Sequence, residues 1–198
     1  MGRGEPVIVV PGLGSGAWGT HRLRSMLGEA GFIVRDWGLG VNRGPGDNFD
    51  EWLDGLTENV ADMRSQAGKK VSLIGWSLGG LFAREFAKRH PRQIKQVITL
   101  GTPLKDFDTG THASGLFKLL NRGGNSVTPQ MRRRLSESPS VPLTAIYSRN
   151  DGIVSWQSCI LDAAKGVEYI EVNEASHLGM CANREVISAV AQRLAKRL

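Results

Sequence analysis

The chain has 198 residues, 40% of them hydrophobic and 22% charged, with 25 glycines and a formal net charge of +6. That length suits one well-buried domain over 1–198, and the balance is that of a globular protein rather than a disordered one. No apolar run approaches the ~18 residues of a membrane span, and the basic residues are scattered without an aromatic-studded stripe, so neither stable membrane insertion nor a nucleic-acid partner is expected.

Along the chain, strands alternate with helices. Residues 6–10 (Pro-Val-Ile-Val-Val) read as a short buried strand that breaks at Pro11-Gly12-Leu13-Gly14-Ser15-Gly16. The strand starts so near Met1 that no signal peptide fits before it, and a cytoplasmic location is the expectation. A helix follows to about Ala30, with Leu23, Met26 and Leu27 at helical spacing and Gly31 as its cap. Residues 32–36 form the second strand, and a Gly-rich stretch leads to a helix over 48–66 with Trp52, Leu56, Val60 and Met63 on one face. Residues 71–75 form the third strand, which runs into Gly75-Trp76-Ser77-Leu78-Gly79-Gly80. The helix behind it turns Leu81, Phe82, Phe86 and Ala87 inward and stops before Pro91. Strands over 94–100 and 143–147, a helix near 156–164, a strand over 168–172 and a last helix over 184–196 complete the rhythm.

This alternation with short connections predicts an α/β fold, a mostly parallel six-stranded sheet with helices on both faces. The exception is the long connection over about 104–142, which reads as a small cap insertion or, alternatively, a surface loop. Within it Leu116, Phe117, Leu119 and Leu120 suit one short amphipathic helix, and 128–135 another. The two cysteines, Cys159 and Cys181, are expected as buried thiols, a bridge between their loops being the alternative.

Gly75-Trp76-Ser77-Leu78-Gly79 matches Gly-x-Ser-x-Gly, a weak signal alone that gains weight between a strand and a helix. A serine at the apex of such a strained turn needs small residues two positions away on each side. A serine hydroxyl is a poor nucleophile near neutrality and needs a base, which in turn needs an orienting group. Of four histidines, His177 follows the sixth predicted strand, and Asp151 closes the fifth in Arg-Asn-Asp-Gly. A parallel sheet carries Ser77, Asp151 and His177 to one edge. Asp106 and Asp108 are the fallback acids, and Asp162 belongs in a helix. Two backbone amides, those of Leu13 and Leu78, are the expected oxyanion donors. Asn42, in the loop after the second strand, is either a turn residue or a support for the oxyanion loop. Gly12, Gly14 and Gly16 recur every second residue with no Lys-Ser or Lys-Thr behind them, which fits neither a dinucleotide nor a phosphate loop. No cofactor and no metal are expected.

Residues 9–14, 75–80, 100–103, 147–154 and 176–180 together resemble bacterial lipases and esterases of the α/β-hydrolase superfamily. Pro11 stands where lipases often carry His, Leu104 follows Gly-Thr-Pro in place of the usual His, and the superfamily's N-terminal hairpin is missing. The resemblance implies cleavage of a small-molecule carboxylic ester with an apolar acyl chain, through an acyl-enzyme on Ser77. Trp76, Leu116, Phe117 and Leu120 are the expected substrate contacts. Thioester hydrolysis or acyl transfer by the same triad, or a non-catalytic binding module, are the alternatives.

Overall fold

Every side chain of β1 (Pro6–Val10) is buried, because the strand is covered on both faces. The computed structural model describes residues 1–45, 48–105, 129–161 and 166–196, the side chains of 131 and 132 excepted. The remaining strands are β2 (Ile33–Asp36), β3 (Val71–Trp76), β4 (Ile94–Leu100), β5 (Leu143–Tyr147) and β6 (Val167–Glu171). They pair in the order β2-β1-β3-β4-β5-β6, with every neighbouring pair parallel. The α-helices among the described residues are α1 (His21–Glu29), α2 (Phe49–Asp54), α3 (Thr57–Ala67), α4 (Leu78–Arg89), α5 (Pro129–Ser136) and α6 (Arg184–Ala195).

Successive residues of β1 serve opposite cores. Val7 and Val9 meet Leu23 and Leu27 of α1 and Val186, Val190 and Leu194 of α6. Ile8 and Val10 meet Leu53, Val60 and Met63 of α2 and α3, and Phe82 and Phe86 of α4. A strand packed this way needs apolar side chains at consecutive positions, which explains the uninterrupted apolar run of β1. Helix ends follow side-chain chemistry. Asn48 Oδ1 accepts from Asp50 and Glu51 N–H at 3.1 Å each, and Asn183 Oδ1 caps α6 from Glu185 at 2.9 Å and Val186 at 3.1 Å.

Some elements depart from the sequence pattern. The helix expected over 48–66 is two helices, interrupted at Gly55-Leu56, where a residue of low helix propensity lies against Leu39. Of the helix expected near 156–164, the described residues form a short 3-10 turn, Trp156–Cys159, which ends where Ile160 becomes extended, and 162–164 lie outside the described residues. Helix α4 is buried from Leu78 to Ala87 on all sides, not along one stripe. One reason is α5, whose Leu135 packs on Leu78 and Leu81. Glu85, 1% exposed, accepts from Lys88 at 2.6 Å and from Arg134 of α5 at 3.0 Å. Arg84, also fully buried, donates to the Glu137 carbonyl at 3.0 Å, and burial lowers its pKa to about 10. Leu104, expected to open the cap, is instead a core residue packed on Ala145 and Leu161. Cys159 and Cys181 are both buried free thiols. Among the described residues no helix is long and apolar enough to cross a membrane.

Candidate active site

The site is built at the C-terminal edge of the sheet, where β3, β5 and β6 each release one functional side chain. Ser77 follows β3 and caps α4 with φ 55° and ψ −122°, a conformation outside the usual regions for a residue with a side chain. It is held by its N–H on the Leu100 carbonyl at 2.9 Å, while its own carbonyl accepts from Gly80 N–H and Thr102 Oγ1, both at 2.9 Å. Gly75 and Gly79 are required by close approach. A Cβ on Gly75 would run into the backbone of Gly79 and Gly80, and one on Gly79 into the carbonyls of Val10 and Pro11.

Ser77 Oγ lies 2.9 Å from His177 Nε2, and His177 Nδ1 lies 2.8 Å from Asp151 Oδ2. The carboxylate is an acceptor, so Nδ1 carries the proton and Nε2 is free to accept the serine hydroxyl. All three side chains are nearly excluded from water, Ser77 at 7%, Asp151 at 5% and His177 at 4% exposure. Asp151 sits in its own turn, its Oδ1 accepting from Ile153 N–H at 3.0 Å and Val154 N–H at 2.6 Å. Its carbonyl accepts the His177 N–H at 2.8 Å, which ties the acid and base loops together. The array has the geometry in which a serine hydroxyl can lose its proton to a base whose tautomer an acid fixes.

The two expected oxyanion donors belong to one neighbourhood. Gly44 approaches the side chains of both Leu13 and Leu78. The Leu78 amide is in the first turn of α4, where helical N–H groups have no intrahelical acceptor. The Leu13 amide makes no hydrogen bond among the described residues, whereas its neighbours are engaged, Gly14 N–H on Asn42 O at 2.8 Å and Ser15 N–H on Gly12 O at 3.1 Å. Asn42 is the brace of this loop. Fully buried, it donates from Nδ2 to Pro11 O at 2.8 Å and from its N–H to Ser15 O at 2.8 Å, and accepts from Gly44 N–H at 3.0 Å.

Trp76, expected at the substrate, is 6% exposed, and its indole N–H is donated to the His177 carbonyl at 3.0 Å. Buried between loops, it has little surface left for a substrate. Leu116, Phe117 and Leu120 lie outside the described residues, as do Asp106, Asp108 and Asp162. Sequence reasoning missed Gly101, whose φ of +53° and contacts bring it under the Asp151–His177 pair. Among the described residues no cluster of His, Cys, Asp or Glu converges to hold a metal ion. Burial pushes the thiols of Cys159 and Cys181 up to about 12, so neither is a nucleophile near neutrality.

A parallel sheet with helices on both faces, and a serine, histidine and aspartate joined at its C-terminal edge, define an α/β-hydrolase. Residues 4–159 match the family described as serine aminopeptidase, S33, and the chain belongs to that family. It is 33% identical to the pimeloyl-[acyl-carrier protein] methyl ester esterase of Aromatoleum aromaticum over 94 residues, which are 46% of this chain and 34% of that protein. It is 31% identical to the mouse (Mus musculus) serine hydrolase BPHL over 108 residues, 51% of this chain and 37% of that protein. The matched stretches thus cover little more than a third of these curated relatives. The fold is also that of the Paleococcus ferrophilus monoacylglycerol lipase, with a TM-score of 0.64 at 20% identity over 96% of this chain and 95% of that one.

Proposed function

We propose that the protein hydrolyses carboxylic esters with an apolar acyl part. The observation that carries this reading is the continuous Ser77–His177–Asp151 hydrogen-bonded array beside the Leu13 amide, which has no hydrogen-bond partner among the described residues. Ser77 Oγ attacks the ester carbonyl carbon as His177 Nε2 takes the hydroxyl proton. Asp151 holds the imidazole and balances its charge, and the Leu13 and Leu78 amides receive the oxyanion. Collapse of the tetrahedral intermediate breaks the bond to the alcohol, which leaves with the proton from His177. Water, deprotonated by His177, then releases the acid and restores Ser77.

An apolar substrate is supported by the loops around the array. Trp18 (73%), in the 3-10 turn Ala17–Thr20, and Leu39, Val41, Ile153 and Leu178 (75%), on loops, are large apolar side chains left exposed in the segments that follow strands β1, β2, β5 and β6. Residues 11–20, 37–42, 152–161 and 175–182 carry no Lys, Arg, Asp or Glu. The relatives named as methyl ester esterases support an ester with a small alcohol part.

The test is a panel of p-nitrophenyl esters from acetate to octanoate beside an acyl thioester and an aminoacyl p-nitroanilide. Turnover of esters that rises with chain length, and that falls by ~10⁴-fold or more in Ser77→Ala, is expected. Preference for the anilide would refute the ester assignment, and preference for the thioester would move it to thioester chemistry on the same triad.

A further inference from the structure

We infer that Trp76 is a positioning residue for His177, its indole N–H setting how far the imidazole reaches toward Ser77. The inference rests on the hydrolase reading above. Strands β3 and β6 are separated by β4 and β5, so the loops carrying Ser77 and His177 start about 14 Å apart at the usual strand spacing. The His177 loop has to be drawn inward across that gap and held.

Two hydrogen bonds from outside the loop hold the His177 backbone. The His177 N–H is donated to the Asp151 carbonyl at 2.8 Å, and the His177 carbonyl accepts from Trp76 Nε1 at 3.0 Å. The Met180 N–H reaches the same carbonyl only at 3.4 Å, so the indole is the closer donor. The peptide groups flanking the base are therefore fixed from both sides, by the acid and by the residue that precedes the nucleophile. The indole does not stack on the imidazole, since the ring centroids are 5.9 Å apart and the planes 44° apart. Its hold passes through the His177 backbone.

The indole is itself immobilised. It lies under the oxyanion loop, where a Cβ on Gly12 would come within 3.1 Å of Cε3 and 3.2 Å of Cδ2, and one on Gly19 within 3.5 Å of Cζ3. A buried indole N–H seeks an acceptor. Here that acceptor belongs to the catalytic base, so Trp76 spans the oxyanion loop, the nucleophile and the base.

The test removes the donor and keeps the ring. Trp76→Phe is the simple variant, and site-specific replacement by β-(3-benzothienyl)alanine exchanges only N–H for sulfur in the same bicyclic shape, so folding is preserved where Phe leaves a gap. Steady-state hydrolysis of p-nitrophenyl butyrate and the single-turnover rate of phosphonylation by a fluorophosphonate are measured beside the thermal midpoint. A displacement of the base by a fraction of an ångström lowers kcat and the phosphonylation rate together by about ten-fold, with KM within two-fold of the unmutated value. Unchanged kcat and phosphonylation in the sulfur analogue would overturn the inference. So would a raised KM at constant kcat, which is the mark of a substrate contact. An unmutated protein that neither turns over esters nor is phosphonylated would overturn the hydrolase reading, a distinct outcome that takes this inference with it.

Discussion

Gly101→Ala probes the acid–base pair without altering any of its groups. The residue lies in the left-handed region with φ +53°, and an added Cβ would stand 2.7 Å from Asp151 Oδ2 and 3.3 Å from His177 Nδ1. Left-handed backbone costs a non-glycine residue about 1–2 kcal/mol, or roughly 2–8 °C in Tm for a chain of this size. The catalytic cost is separate. Ordinary contact begins at 3.4 Å, so the carboxylate must recede by about 0.7 Å, the difference between 3.4 and 2.7 Å. Its other oxygen is pinned by Ile153 and Val154, so Oδ2 cannot slide sideways without breaking those bonds. Receding stretches the 2.8 Å bond to His177 past the ~3.2 Å limit of a good N–H···O bond. A misplacement of that size costs about 10²-fold in kcat. Gly68→Ala supplies the control, because Gly68 has φ +63° and nothing within 4 Å of an added Cβ. Ester hydrolysis and thermal melts on both variants separate the effects: similar loss of Tm, with loss of kcat in Gly101→Ala alone. Full kcat in Gly101→Ala would refute the claim that the Asp151–His177 contact is rate-determining geometry.

Other substitutions test neighbouring parts of the account. Asp151→Asn leaves the packing but lets the imidazole adopt the wrong tautomer, and kcat for esters is expected to fall by about 10⁴-fold. Asn42→Ala strands Pro11 O and Gly44 N–H, costing about 1–3 kcal/mol in urea unfolding and lowering kcat more than it raises KM, because the loop proposed to bind the oxyanion loses its brace. Glu85→Gln leaves Lys88 and Arg134 without their shared carboxylate. A loss of about 2–3 kcal/mol is expected, below the figure for a wholly buried pair because Lys88 and Arg134 are partly exposed, with faster proteolytic cleavage within α5. The thiols of Cys159 and Cys181, neutral up to about pH 12 through burial, should resist iodoacetamide at pH 8 in the folded protein and react at both positions in urea.

The sheet was legible because burial on both faces leaves an uninterrupted apolar run in β1 and strands dominated by β-branched and other apolar residues in β3 and β4. Ser77, Asp151 and His177 were legible because each directly follows a recognisable strand, and a parallel sheet brings such positions to one edge. Features that depend on contacts far apart in sequence were less so. The Trp76 indole meets a carbonyl 101 residues away, and an aromatic residue beside a nucleophile reads equally well as a pocket wall. Arg84 and Glu85 look like a solvated face of α4 until α5 covers them. Gly55 is one helix-weakening residue in an otherwise unbroken amphipathic pattern, and periodicity does not register the break it introduces. Asn42 reads as readily as a turn residue, and only its burial and its partners on Pro11, Ser15 and Gly44 reveal a brace.

The central claim is that Ser77 is a nucleophile activated by His177. Treatment with a fluorophosphonate followed by peptide mapping tests it directly. The account predicts one covalent adduct, on Ser77, lost in Ser77→Ala and strongly slowed in His177→Ala. An unlabelled protein, or an adduct on any other residue, would contradict it.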